Sequence, residues 1–288
     1  MSKWTAMPFA AALLVAAGMS SPGPRAEPTG PSGAPDAAAS SDREARSLPE
    51  LIGRIAQSDY AGDRKALDRL FGEADRFLGD RDTESRVRYW KGFAKWRRAI
   101  NGANETPAPT DLASDVVIAA GELRRSGELD SGFVDARIGE MQCLGLVLFF
   151  DRGRAGNDAR IARLRELMGE LKVTAAANPR YVWAWGMAYF TAPPEKGGGP
   201  DHVIPAYLKA LEAMRGGAGR PGSPLDPSWG EAELCVNLAY SYLNRPSPDL
   251  ALARKYVDEA IRLVPGWHYA RDILRPQVEA AASAVPGR

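Results

Sequence analysis

A chain of 288 residues, with 45% hydrophobic and 25% charged side chains, has room for one large or two small domains around an ample core. Its 37 basic residues stand against 36 acidic ones, a balance without the basic footprint that a nucleic-acid binder needs. Beyond the N-terminus, no segment approaches the roughly 20 apolar residues of a membrane-spanning helix.

Lys3 and the free amine precede an apolar run from Pro8 to Met19 that is too short to cross a bilayer. Small residues follow at Gly18, Ser20 and Ser21. We read residues 1–20 as a signal peptide, with an uncleaved anchor as the competing reading, so the mature chain is expected in the periplasm or secreted, with no stable membrane insertion. No cysteine ends the apolar run, which argues against a lipoprotein anchor. Residues 21–46 are rich in Pro, Gly, Ala and Ser and offer too little apolar surface to offset the entropy of ordering. They predict a disordered linker. Residues 47–280 then form the folded domain, and 281–288 a flexible tail.

From Leu48 onward, apolar residues recur at three- and four-residue intervals, interrupted by Gly/Pro-rich joints. No stretch shows sustained two-residue alternation. Leu48–Gln57 and Asp63–Leu78 predict a first helix pair, packed through Leu67, Leu70, Phe71, Ala74 and Phe77. Trp90, Phe93 and Ala94 open a second pair, with Arg97 standing where an aromatic side chain is expected. Ala113, Val117 and Ala120 continue it on the partner helix. Met141, Leu144, Gly145 and Leu148 begin a third, whose partner spans about Ile161–Ala176. Val182, Trp185, Gly186 and Tyr189, then Val203, Tyr207 and Ala210, mark a fourth across a long Pro/Gly joint.

The last pair is the clearest. Cys235, Leu238, Ala239 and Tyr242 follow the spacing large, large, small, aromatic, while Ala253, Val257, Ala260 and Pro265 follow small, bulky, small, proline. Ala239 and Ala260 let helices approach where leucine would clash. Asp249 is placed to cap the second helix. This periodicity resembles the tetratricopeptide repeat and predicts an all-α fold, a right-handed TPR-like α-solenoid of about five antiparallel helix pairs.

The N-P-R start at residue 178, the Pro-then-Gly-Gly insertion, the P-x-W-G motif before the last pair and the closing YARDIL resemble a family of exported bacterial tetratricopeptide-like proteins. The likeness covers residues 178–278 and implies fold and export, without a biochemical activity. A more distant likeness, through the Pro and Gly-Gly insertion, is to the helical periplasmic accessory subunits of TRAP-type solute transporters.

Residues that carry chemistry are sparse. Two histidines, His202 and His268, cannot build a His-rich metal site, and H-E-x-x-H, C-x-x-C, G-x-S-x-G, S-x-x-K and the phosphate-loop motif are all absent. We therefore expect no enzyme activity, no cofactor and no metal. Gly197–Gly199 reads as a flexible joint, since Asp201 would oppose an anion there. His268 and Asp272 can pair at i, i+4, though closing the last repeat is the simpler role. Glu166 and Glu170, like Glu231 and Glu233, read as solvated helix surface. Trp229 in LDPSWGE covers a joint. Cys143 and Cys235 fall in non-adjacent pairs, too far apart for a disulfide, and read as buried free thiols.

In the tetratricopeptide class the first helices of each pair line a concave face. That implies contact positions at Arg88, Lys91, Lys95 and Arg98, then Gln142, Leu146 and Phe149, then Trp183, Met187 and Phe190, and finally Val236, Tyr240, Leu243 and Asn244. Such a surface, basic at one end and apolar-aromatic at the other, suits an extended protein or peptide partner. The alternative is an accessory subunit cradling a small solute for a transporter, with an apolar cavity near Trp183 and Phe190.

Overall fold

The computed structural model describes residues 44–151 and 156–284. The expected signal peptide and most of the expected linker lie outside them. The fold is all-helical, and among the described residues no strand occurs. The α-helices are α1 (Leu48–Ala61), α2 (Arg64–Glu73), α3 (Glu84–Ala103), α4 (Leu112–Leu129), α5 (Val134–Phe150), α6 (Asn157–Thr174), α7 (Pro179–Thr191), α8 (Pro200–Arg215), α9 (Glu231–Asn244), α10 (Leu250–Leu263) and α11 (Arg275–Ser283). A π-helical segment, Tyr269–Leu274, leads into α11.

Local chemistry sets the boundaries. The side chains of Ser47, Asp63, Asn178 and Asp249 accept N–H bonds from the first turns of α1, α2, α7 and α10, satisfying donors with no helical partner. Pro179 opens α7, where its missing N–H costs nothing. Gly62 ends α1 in the left-handed conformation.

Consecutive helices pack on one another, except that α6 and α7 touch little. The odd-numbered helices also form a continuous row, with α1 on α3, α3 on α5, α5 on α7 and α7 on α9. Small residues sit where helices come closest: Ala239, Ala253 and Ala260 are fully buried. At Gly186 a Cβ would lie 2.3 Å from the Tyr207 hydroxyl, so α7 and α8 can meet there only through glycine.

Several local expectations shift. In α4 Leu112, Val116, Ala119 and Leu123 are buried, and so is Ala120 as expected, whereas Ala113 is half-buried and Val117 is 38% exposed, so the buried face is centred about one residue earlier than the sequence suggests. Ala45 is buried and its N–H donates to Glu73, so order begins within the expected linker. At the other end α11 runs to Ser283, into the expected tail.

Candidate functional site

The basic stripe of α3 does not open onto solvent. Arg88 donates to Glu122 of α4 at 3.0 Å and pairs with Glu84. Lys91 is buried, with its ammonium on the Phe71 carbonyl at 3.1 Å, on Asp75 at 2.5 Å and 3.8 Å from the centre of the Phe71 ring. Lys95 lies between Asp68 at 2.5 Å and Asp115 at 3.3 Å. Arg98 bonds Asp111 at 2.6 Å and also Asp115. These residues tie α3 to the helices on either side of it. Charge matching explains it, because Asp68 of α2, Asp75 in the turn after it, Asp111 at the cap of α4, and Asp115 and Glu122 of α4 face them. The Lys95 ammonium holds the Asp68 carboxyl below its usual range. At Asp111, burial pushes the carboxyl upward, and the Arg64 and Arg98 guanidiniums outweigh it to hold it down.

The apolar residues divide. Trp183 meets Trp96 and Trp229 edge-on, with ring centres 5.8 and 5.2 Å apart. Trp229 reaches this centre from the joint between α8 and α9, and its indole N–H donates to the Tyr89 hydroxyl at 2.9 Å. Phe93 and Trp96 complete the cluster, which fills much of the space between the odd-numbered helices. Phe149 packs on Phe150, and Phe190 on Tyr240. Asn244 turns back to the Tyr240 carbonyl at 2.9 Å. Leu146 is buried and Leu243 partly so.

Beside the cluster lies a half-open cavity of about 100 Å³. Five of the expected contact residues line it: Gln142 of α5, Trp183 and Met187 of α7, and Val236 and Tyr240 of α9. Sequence reasoning missed the rest. Arg97, Ile100 and Asn101 come from α3 and Asn104 from its C-terminal cap, Glu233 and Asn237 from α9, Trp267 from the turn after α10 and Tyr269 from the π-helical segment. Only Arg97 carried a signal, as the residue that broke the aromatic position of its repeat.

Charge is concentrated on one wall. Arg97, 3% exposed, donates through Nε to Asp59 Oδ2 at 2.8 Å, and Asp59 is 1% exposed. Asn101 adds donors to the Asp59 carbonyl and carboxylate at 3.0 and 3.2 Å. Glu233 is no surface carboxylate: it is 2% exposed, accepting the Tyr60 hydroxyl at 2.8 Å and the Gly230 N–H at 2.7 Å. Burial works against the Arg97 charge, but Asp59 and Glu233 raise its pKa above the ordinary value. Burial, with Glu233 and Asp59 behind it, pushes the Tyr60 phenol far above its usual range, so it stays a donor.

The remaining chemistry is thin. Glu166 and Glu170 pair with Arg163 and Arg137. His268 Nδ1 lies 2.8 Å from Asp272 on a half-exposed turn, and its ring packs on Gly62. Cys143 and Cys235 are free and buried. Among the described residues no group of His, Cys, Asp and Glu side chains could hold a metal ion, and no helix is long and apolar enough to cross a membrane. Comparison with family models, curated proteins and solved structures finds no match to this chain.

Proposed function

We propose that this protein is a non-catalytic, TPR-like binding module working outside the cytoplasm, in the periplasm or secreted, and that it recognises a protein or peptide partner through the cavity between its odd-numbered helices. The helix order reads as a right-handed α-solenoid of about five antiparallel pairs, closed at its end by α11. Serial packing and small residues at the helix contacts support that reading.

The observation that carries the function is the convergence of α3, α5, α7 and α9 on one half-open, largely apolar cavity. An engineered apolar cavity of about 150 Å³ holds a benzene molecule, so this one suits a single anchoring side chain better than a large ligand. The basic end of the expected contact surface is committed to internal acids, which moves the contact point to Trp183, Met187 and Val236.

Peptides selected from a random display library on the full-length chain should lose at least tenfold in affinity against Val236→Phe, which fills the cavity. Equal affinity for both proteins would end the proposal. Fusing residues 1–46 to a reporter that is active only outside the cytoplasm tests the location.

The transporter-accessory reading retains one supporting observation, the apolar wall at Trp183. It requires a cavity sealed around a solute, and this one is half open, with Phe190 packed away on Tyr240.

A further inference from the structure

Arg97 is one of the cavity-wall groups that the fold leaves unfinished, beside Asn237 Nδ2 and Tyr240 Oη, which are buried without a hydrogen-bond partner among the described residues. Among the described residues its one hydrogen-bond acceptor is Asp59, reached through Nε. The terminal nitrogens Nη1 and Nη2, with four N–H donors between them, have no acceptor. They are not sealed from solvent, and the residue, 3% exposed, lines the cavity. Open to the cavity and shielded on its other sides, the guanidinium can donate to a ligand that enters there. The side chain of Gln142, 8% exposed on the cavity wall, likewise has no hydrogen-bond partner among the described residues.

The charge around Arg97 selects the acceptor. Asp59 and Glu233 are both buried beside it, so the carboxylates outnumber its single cation. A ligand carboxylate would add another negative charge to that wall. An ammonium would have to face the N–H donors of a cation. A neutral carbonyl oxygen meets the donors and leaves the charge balance unchanged.

We infer that the cavity binds an uncharged amide carbonyl, the backbone carbonyl of a peptide residue, on the Nη atoms of Arg97, with that residue's apolar side chain against Trp183, Met187 and Val236. This rests on the peptide-binding reading above and names the chemical group that is recognised. Gln142 lies on the same wall and can donate or accept to the neighbouring peptide unit.

The test uses the full-length chain carrying ¹³C-methyl methionine, with the Met187 resonance followed during titration. The probes are 4-methylpentanamide, 4-methylpentanoate and 3-methylbutylamine, of which only the first carries an amide carbonyl. The amide should bind at least tenfold more tightly than either charged probe. Arg97→Lys, its fold checked by circular dichroism, should lose at least fivefold for the amide alone. A carboxylate or amine that binds as well as the amide overturns the inference on the native protein, whether or not the variant folds. A folded Arg97→Lys with unchanged amide affinity also overturns it. If display-selected peptides depend on Val236 while no probe moves Met187, the carbonyl assignment falls and the binding module stands. If neither occurs, both fall.

Discussion

The Tyr60 hydroxyl donates to Glu233 at 2.8 Å across 173 positions of sequence, joining α1 to α9. A series of helices that pack mainly on their neighbours is thereby held end to end. Tyr60→Phe removes this bond and leaves a buried carboxylate one donor short. Bonds to charged groups contribute about 1.5–3 kcal/mol, so denaturant unfolding should show a loss of that size. A loss below about 0.5 kcal/mol, within the range of ordinary surface substitutions, would mean that the ends are held by something else.

The ion pairs of α3 predict a separation of stability from binding. Lys91→Ala takes the cation from Asp75, and Lys95→Ala takes one of its cations from the buried Asp115, which keeps Arg98. A loss of about 1–3 kcal/mol is expected for each, with peptide affinity unchanged once both proteins are compared in the folded state. A tenfold weakening of peptide binding by either variant would return the contact surface to the basic stripe.

Gly186→Ala forces a methyl group into the Tyr207 ring. Overpacking of this kind costs about 1–3 kcal/mol, a lower Tm by roughly 2–4 °C per kcal/mol in a domain of this size. Tyr207→Leu should recover part of the loss when combined with it. Additive losses in the double variant would show that the two residues do not compete for that space.

Burial pushes the Cys235 thiol up to about 12, with Glu259 adding to the effect. It likewise raises Cys143 well above the usual thiol range, Glu140 contributing. Reaction requires the thiolate. At pH 8 an aromatic disulfide reagent should therefore label neither cysteine in the folded protein and both after denaturation. Rapid labelling of native protein would place a thiol at the surface.

Arg271 above all, and then His268, holds the Asp272 carboxyl down to about 2. A depressed folded value means that the group's contribution is complete above the unfolded carboxylate value near 4 and disappears as pH falls toward 2. Stability measured from pH 5 down to pH 2 should decline less steeply in Asp272→Asn than in the parent. Parallel curves would show that this turn does not couple protonation to folding.

The helices were legible because apolar spacing reports which face is buried, and the last pair most of all. Ala239, Tyr242, Val257 and Ala260 all lie in the core as their spacing predicts. What the spacing could not reveal was where each face finds its partner. Lys91 and Lys95 stand at positions that would face an open hollow, yet acids on α2 and α4 claim them, a match that exists only once the helices are assembled. Glu233 resembles any acid in the first turn of a helix until Tyr60 arrives from α1. Arg97 announced itself by breaking the repeat, but its partner Asp59 lies on another helix. The α4 register slipped because Val116 and Val117 are adjacent and equally apolar, so composition could not choose between them.

Trp229 gives the domain a fixed count. It comes from a joint, not from a helix, and wedges among Phe93, Trp96 and Trp183, which belong to distant parts of the chain. Inserting or deleting one helix pair would carry this side chain roughly 10 Å or more from its socket and part Tyr60 from Glu233. An open-ended repeat can lengthen a unit at a time. This helical fold is closed by its own keystone, so its size can vary only in the surface joints, such as residues 192–199, that neither bear on the wedge nor span the closure.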